Sequence, residues 1–262
     1  MALKQHTDNK VKYEQQVNNS REYVLPFIEV THQINNSTRV FEIGCGEAGV
    51  LIPFLDKGCE VVGVDLDCPR IDVANDYLKK YVEEGRATFL CKNVYDEDFV
   101  AKYKGYFDII ILKDVIEHIP EQEKFVPHIK QFLREGGQIF FGFPPWYMPF
   151  GGHQQVCRNK IGMMPYYHIL PKPIYMGILK MIGEDERIQR DLEEVYDTRI
   201  TIERFERIIK RSGLQIKNRQ HYLFNPIYKY KFGVNARKQS ALISAIPFVR
   251  NFLTTCVYYT VG

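Results

Sequence analysis

Several features are scarce in this 262-residue chain, and each scarcity removes a class of protein. There are six cysteines, at 45, 59, 68, 91, 157 and 256, with no C-x-x-C pair and no metal-like grouping with histidine. No metal ligand set is therefore assigned, and the six read as reduced thiols in a reducing compartment. No uninterrupted apolar run is long enough to span a bilayer. Met1 to Gln16 is polar and has no apolar signal region, so a cytoplasmic location is expected. An excess of one charge is also missing: a net charge of +3 is too small to imply nucleic acid by itself. Composition is otherwise ordinary, and the length suits one large domain or one domain carrying an insertion.

What is present centres on Val40-Phe41-Glu42-Ile43-Gly44-Cys45-Gly46-Glu47-Ala48-Gly49. It reads as a short buried strand, a glycine-rich turn and a following helix. Glycine at 44 and 46 lets the chain turn sharply and lets a ligand approach without meeting a Cβ. The turn aims backbone N–H groups of the next helix at whatever binds there. Taken alone, Gly44-x-Gly46-x-x-Gly49 also matches a dinucleotide fingerprint, so a nicotinamide-dependent oxidoreductase stays open on this motif. Two features sharpen the reading. Glu42 sits inside the strand, where an apolar residue would be expected. The next strand, Glu60-Val61-Val62-Gly63-Val64-Asp65, ends in a carboxylate placed to bind a ribose.

In these residues the chain resembles the class I S-adenosylmethionine-dependent methyltransferases. Glu42-Ile43-Gly44-Cys45-Gly46 is similar to their E-x-G-x-G first motif, and Asp65 falls at their ribose-binding acid. Phe107-Asp108-Ile109-Ile110-Ile111-Leu112-Lys113-Asp114-Val115-Ile116-Glu117-His118-Ile119-Pro120 resembles the fourth strand and loop of the branch with quinone-biosynthesis O-methyltransferases. The likeness covers roughly residues 38–143 and does not reach the acceptor. It implies S-adenosyl-L-methionine as cofactor and S-adenosyl-L-homocysteine as product. Glu42, Gly44, Cys45 and Gly46 would then line the cofactor, with Asp65 and Leu66 at the ribose. Asn93 and Val94 would meet the adenine, and Lys113 and Asp114 the methionine end. Glu42 either meets the cofactor's ammonium group or braces the glycine turn, Cys45 reads as a small packed side chain, and Asn93 is alternatively a turn former.

Apolar runs of strand length alternate with helical stretches. Strands are expected at 38–43, 60–65, 87–91, 106–112 and 137–142, and helices at 49–57, 69–84, 96–103 and 120–135. Gly136-Gly137 is read as the end of the last helix, and Pro127 as a kink inside it. The pattern indicates an α/β, doubly wound, mostly parallel sheet, which the resemblance extends to seven strands with the last antiparallel. Four regions follow: an N-terminal helical cap at 1–37, a cofactor-binding core at 38–142, an inserted lid after strand 5 at 143–200, and a C-terminal helix and strands at 201–262. Residues 214–224 and 250–260 read as the last strands. The apolar stretch from Ala241 to Tyr259 is interrupted by Pro247 and Arg250-Asn251 and reads as core strand rather than membrane contact. Tyr13 or Tyr23 of the cap would cover the methionine moiety, or simply pack on the domain.

The acceptor side is less legible. His153, flanked by Gly151 and Gly152, is the first candidate for a general base because neutral imidazole titrates near the working pH. Alternatively His153 only bonds the lid backbone; His118 would line the acceptor side, or fix Glu117 or the backbone as a loop histidine. Trp146, Tyr147 and Phe150 either bound an apolar pocket or anchor the lid. Between Arg204 and Lys238 ten basic residues face one acid, Glu206, which suits either an anionic acceptor or a solvated helix face. No RNA-binding motif accompanies them. The expected activity is methyl transfer to a small or lipid-linked, possibly anionic acceptor, at oxygen. An RNA or protein methyltransferase, a nicotinamide-dependent oxidoreductase and a non-enzymatic cofactor-binding protein are the alternatives. Oligomeric state is not readable.

Overall fold

The computed structural model describes residues 9–262; the first eight residues of the expected cap, and of the polar N-terminal stretch, lie outside the described residues. The described part begins with helix α1 (Asn9–Asn19), passes through one wide helical turn (Ser20–Val24) and continues as α2 (Leu25–Glu29). The alternation then runs β1 (Arg39–Ile43), α3 (Ile52–Asp56), β2 (Glu60–Asp65), α4 (Cys68–Tyr77), α5 (Lys79–Glu83), β3 (Ala87–Cys91), α6 (Glu97–Tyr103), β4 (Phe107–Lys113), α7 (Gln122–Lys130) and β5 (Leu133–Phe143). Two helices occupy the insertion, α8 (Lys172–Met181) and α9 (Glu186–Thr198). The remainder is α10 (Ile202–Arg211), β6 (Ile216–Phe224), α11 (Tyr228–Phe232), β7 (Arg237–Lys238), α12 (Ala241–Ser244), α13 (Val249–Phe252) and β8 (Cys256–Val261).

One sheet of eight strands has the order β3-β2-β1-β4-β5-β8-β6-β7. β1 to β5 pair in parallel, and β8 inserts antiparallel between β5 and β6. The eighth strand, absent from the sequence reading, is the two-residue β7, which pairs with the edge of β6. Side chains alternate across a strand, so β4 sends Ile110 and Leu112 to one core and Ile109 and Ile111 to the other. The first core takes apolar residues of α6, α7 and α10, and the second takes Phe27, Ile28 and the residues around α3. Helices on both faces explain why these strands read as unbroken apolar runs.

Three expectations about elements and bonds are corrected. α7 stops at Lys130 and Leu133–Gly137 already belong to β5, so the two glycines lie in the strand rather than ending the helix. Pro127 does sit inside α7. The last strand begins only at Cys256, because Arg250 and Asn251 are drawn into side-chain bonds with α10 and shape the preceding residues into helical turns. Cys68 and Cys91 are not reduced thiols but a disulfide. The β2–β3 register places Asp65 opposite Cys91, and α4 begins three residues later, so pairing of strands brings the two sulfurs together across 23 residues of sequence. The other four cysteines are buried thiols. No helix among the described residues is long and apolar enough to cross a membrane.

Candidate functional site

The site is built at the carboxyl ends of β1, β2, β3 and β4. Gly44 and Cys45 both donate their backbone N–H to the Val64 carbonyl, at 2.8 and 3.0 Å, which turns the chain off β1. Gly44 has a φ of +69°, and a Cβ there would lie 2.6 Å from a methyl of Val115 in the loop after β4. Only glycine lets those two loops meet. Gly46 donates its N–H to Asp65 Oδ2 at 2.8 Å, and Asp67 donates to Asp65 Oδ1 at 3.0 Å, so the strand-end carboxylate is oriented by two backbone donors. Arg70 of α4 forms two bonds to Glu47, at 2.8 and 3.1 Å, and lies 3.8 Å from Asp65. Nothing in the sequence marked Arg70, whose place is set by the start of α4.

A cavity of about 730 Å³ opens beside this turn. Of the candidates, Gly44, Asp65, Leu66, Asn93, Val94, Asp114 and His118 line it. Unforeseen neighbours are Arg70, Tyr95, Phe125 and Glu194, the last contributed by α9 of the insertion. Asn93 Oδ1 accepts from the Tyr95 N–H at 3.0 Å, the turn-forming alternative, while its residue still borders the cavity. Cys45 is buried with its sulfur against the Cα side of Gly63, a packing role. Glu42 lies beneath the turn, 2% exposed, and its Oε2 has no partner. Burial first, and repulsion from Asp65 second, raise its pKa well above the usual carboxylate range, which favours the neutral acid in the free protein.

Lys113 and Asp114 form an ion pair at the end of β4 and border a second cavity of about 130 Å³ with Lys12, Gln15, Gln16 and Lys231. Burial opposes the ionisation of both, and their mutual attraction overcomes it, holding Asp114 below and Lys113 above the ordinary range. Asp114 has a φ of +57°, a costly conformation for a residue with a Cβ and one that recurs where a loop is held for a purpose. Tyr13 stacks edge-on against Tyr77 at 4.9 Å, and neither Tyr13 nor Tyr23 borders either cavity.

Past Asp114 the loop buries Glu117, 2% exposed, with neither carboxylate oxygen partnered. His153 Nε2 stands 3.8 Å from Glu117 Oε1, and the rings of His118 and His153 meet at 4.9 Å. Donor atoms of Glu117, His118 and His153 all lie within 4.8 Å of one another, a spacing that a single cation can bridge. No such grouping was visible in the sequence, because His153 arrives from the insertion. Burial and Asp114 raise Glu117 well above its usual range. Burial and the neighbouring His118 push His153 down to about 3, which corrects the reason for naming it as a base: it is neutral at working pH but too weakly basic to take a proton readily. His118 is also lowered, by desolvation, and it is the histidine that faces the main cavity.

The insertion has a small core of its own, in which Trp146 packs edge-on to Tyr196 and accepts at its carbonyl from, or is approached by, His168 Nε2 at 2.7 Å. Tyr147 stacks on Phe252 at 5.1 Å. Neither these two aromatics nor Phe150 borders the main cavity. The basic surplus after Arg204 is partly neutralised by Arg204–Glu123, Arg219–Glu206 and Lys229–Glu22 ion pairs.

The cavity's features fit a nucleoside joined to a cationic amino acid. Asp65 and Gly44 line the cavity's edge, and Glu42 lies buried with an unpartnered oxygen beneath the turn. Comparison with known proteins agrees. A methyltransferase domain model matches residues 15–154, just over half of the chain. The ubiquinone biosynthesis O-methyltransferase of Aromatoleum aromaticum is 33% identical over 103 residues, covering 39% of this chain and 42% of that protein. The Escherichia coli enzyme of the same name is 25% identical over 126 residues, 46% of this chain and 50% of its own. The chain thus spans half or less of the curated relatives' length. Among solved structures, geranyl diphosphate C-methyltransferase from Streptomyces coelicolor, bound to Mg2+, geranyl diphosphate and S-adenosyl-L-homocysteine, has a TM-score of 0.57 at 12% identity. That match covers 91% of this chain and 78% of the other and bears on fold alone. With the motif turn, the strand order and the domain match in agreement, this chain belongs to the class I S-adenosylmethionine-dependent methyltransferase family.

Proposed function

We propose that the chain transfers a methyl group to an oxygen of a small or lipid-linked acceptor. The observation that carries this reading is the main cavity itself, which has the Gly44–Asp65–Asn93 edge on one side and His118 on the other. S-adenosylmethionine, when bound, supplies an already electrophilic methyl group, so the protein's work is placement. Proximity and alignment alone supply roughly 7–11 kcal/mol of a barrier. Asp65, held by two backbone donors, presents its remaining lone pairs to the ribose hydroxyls. Gly44 and Gly46 keep the turn open, and Asn93 and Val94 border the adenine. Glu42, neutral when alone, becomes the counter-charge of an ammonium group. His118, neutral at working pH, accepts the acceptor's proton, and His153 positions it from behind. Residues 143–200 act as the lid: Glu194 reaches the cavity and the Thr198 hydroxyl donates to the Glu117 carbonyl. If a cation is instead held by Glu117, His118 and His153, His118 would be its ligand rather than the base, and the cation would lower the pKa of an acceptor hydroxyl there.

Calorimetric titration with S-adenosylmethionine, S-adenosylhomocysteine and NAD tests the reading. Micromolar binding of the first two and none of NAD is expected. Binding of NAD alone would overturn it. Release of S-adenosylhomocysteine on adding hydroxyl-bearing small molecules then tests the acceptor class, and turnover confined to amine acceptors would reject oxygen as the target.

A further inference from the structure

Residues 237–253 are built inside out. In sequence they read as an apolar run broken by Arg250 and Asn251, and those two residues are the buried ones. Arg250 is 7% exposed and bonds Glu203 and Glu206 of α10, each at 2.8 Å. Asn251 is fully buried; it donates to Glu203 at 2.6 Å and accepts the Ile202 N–H at 2.9 Å. Gln239 at the other end donates to the Leu253 carbonyl. These polar groups clamp the segment to the domain. Its large apolar side chains are left outside: Leu242 is 78% and Phe248 65% exposed, and Ile246, Val249, Phe252 and Leu253 are exposed with them. This inverts the usual polarity of a surface segment, and an apolar face of this kind marks a contact with something else. Phe248 is held outward at a φ of +63°, with its N–H bonded to Glu203, which is a strained arrangement for an aromatic residue. Tyr166 of the insertion extends the face, since it is exposed and its hydroxyl donates to the Phe252 carbonyl.

The sequence leading into and through this face is basic, although Arg219, Lys229 and Arg250 of it are held in ion pairs. From Arg207 to Gly262 the chain carries ten basic residues and no acid. Arg237 and Lys238 are exposed immediately before the apolar turns. The nearest acids, Glu203 and Glu206, are occupied by Arg250, Asn251 and Arg219. We propose that residues 237–253, with Tyr166, dock this chain on the surface of an anionic lipid bilayer. Apolar tips on two single helical turns form neither a groove nor a flat patch that a rigid protein could match. A fluid interface accepts such tips at the headgroup boundary, while neighbouring Arg and Lys side chains meet lipid phosphates. The absence of any membrane-crossing helix among the described residues leaves peripheral contact as the mode.

Flotation of the full chain with vesicles of phosphatidylcholine, alone or mixed with phosphatidylglycerol, tests this. The chain should float with the mixed vesicles and stay behind with the neutral ones. A Leu242→Ser/Phe248→Ser variant should lose about tenfold in bound fraction, because both side chains leave the apolar boundary. Arg237→Gln/Lys238→Gln should lose roughly thirtyfold, and added salt should mimic it. An unchanged melting temperature and S-adenosylmethionine affinity certify that each variant is folded. Wild-type protein that ignores anionic vesicles, or variants that float as well as wild type, overturn the proposal. So does a concentration-dependent dimer that the apolar variant abolishes in the absence of flotation, which would assign the face to a second copy of the chain.

Discussion

The two ends of the main cavity are made in different ways. At the β1–β3 end, most contacts come from strand termini and the turns directly after them, joined by Arg70 of α4, and backbone N–H groups do much of the bonding: Gly46 and Asp67 to Asp65, Gly44 and Cys45 to Val64. At the β4 end, side chains from distant segments meet: His118 from the loop and Glu194 from the insertion line the cavity, and His153 of the insertion packs on the His118 ring behind it. The first end has its geometry fixed by parallel pairing and changes little with side-chain chemistry. The second depends on burial and charge: burial raises Glu117 and lowers His118 and His153. Asp65 accepts two backbone N–H bonds, whereas Glu117 is buried without a donor to either oxygen, and burial raises its pKa well above the usual carboxylate range.

The contrast can be broken most sharply at His118. His118→Ala should cut turnover about 10²- to 10⁴-fold while leaving S-adenosylmethionine affinity unaltered, as expected of a proton acceptor on the acceptor side. Because its pKa is lowered, the acid limb of kcat/KM should fall below pH 6.5, where the imidazole gains its proton. Equal loss of affinity and turnover would move His118 to the cofactor end.

Asp65→Ala is the reciprocal test. Loss of a charged hydrogen-bond acceptor for both ribose hydroxyls should weaken cofactor binding roughly ten- to a hundredfold by calorimetry. Retained affinity would remove the ribose assignment.

A smaller effect separates backbone strain from contact. Gly44 and Gly85 have nearly the same φ, +69° and +70°, but a Cβ at Gly85 meets nothing within 4 Å. Gly85→Ala should cost only the left-handed strain, about 1 kcal/mol or a few degrees in Tm. Gly44→Ala adds the collision with Val115, so it should lower both Tm and cofactor affinity further. Identical melting shifts would show that the two loops do not need their close approach.

The smallest effect is a proton. Glu42 is held neutral in the free protein, and an ammonium ligand favours its ionised form, so binding should release up to about one proton. Affinity should therefore rise with pH until Glu42 ionises unaided. Titrations in buffers of different protonation enthalpy measure that release, and Glu42→Gln should abolish it. Proton release unchanged in Glu42→Gln would assign it to another group.

Legibility in the sequence followed the same division. Gly44, Asp65 and Asn93, which border the cavity, could be named as candidates because the motifs that carry them are local, confined to strand ends and the few residues after them. Arg70 was missed because its relevance comes from where α4 starts, and the disulfide because strand register alone brings Cys68 to Cys91. Glu117 stood within a quoted motif, yet its orphaned carboxylate could not be foreseen without knowing that Thr198 and the insertion close over that loop. Residues 241–253 were misread as core strand because apolar content does not say which face is buried. Arg250 and Asn251, taken as interruptions, are what fastens the segment.

By itself the sequence determined the layered α/β architecture, the parallel core and the cofactor edge, since strand and helix periodicities and glycine turns are short-range properties. Tertiary structure alone decided the ionisation of Glu42, Glu117 and His153, the meeting of His118 with His153, and the outward face of residues 237–253. Each of these depends on what surrounds a group in space, and desolvation, charge proximity and exposure are not encoded by any one stretch of chain.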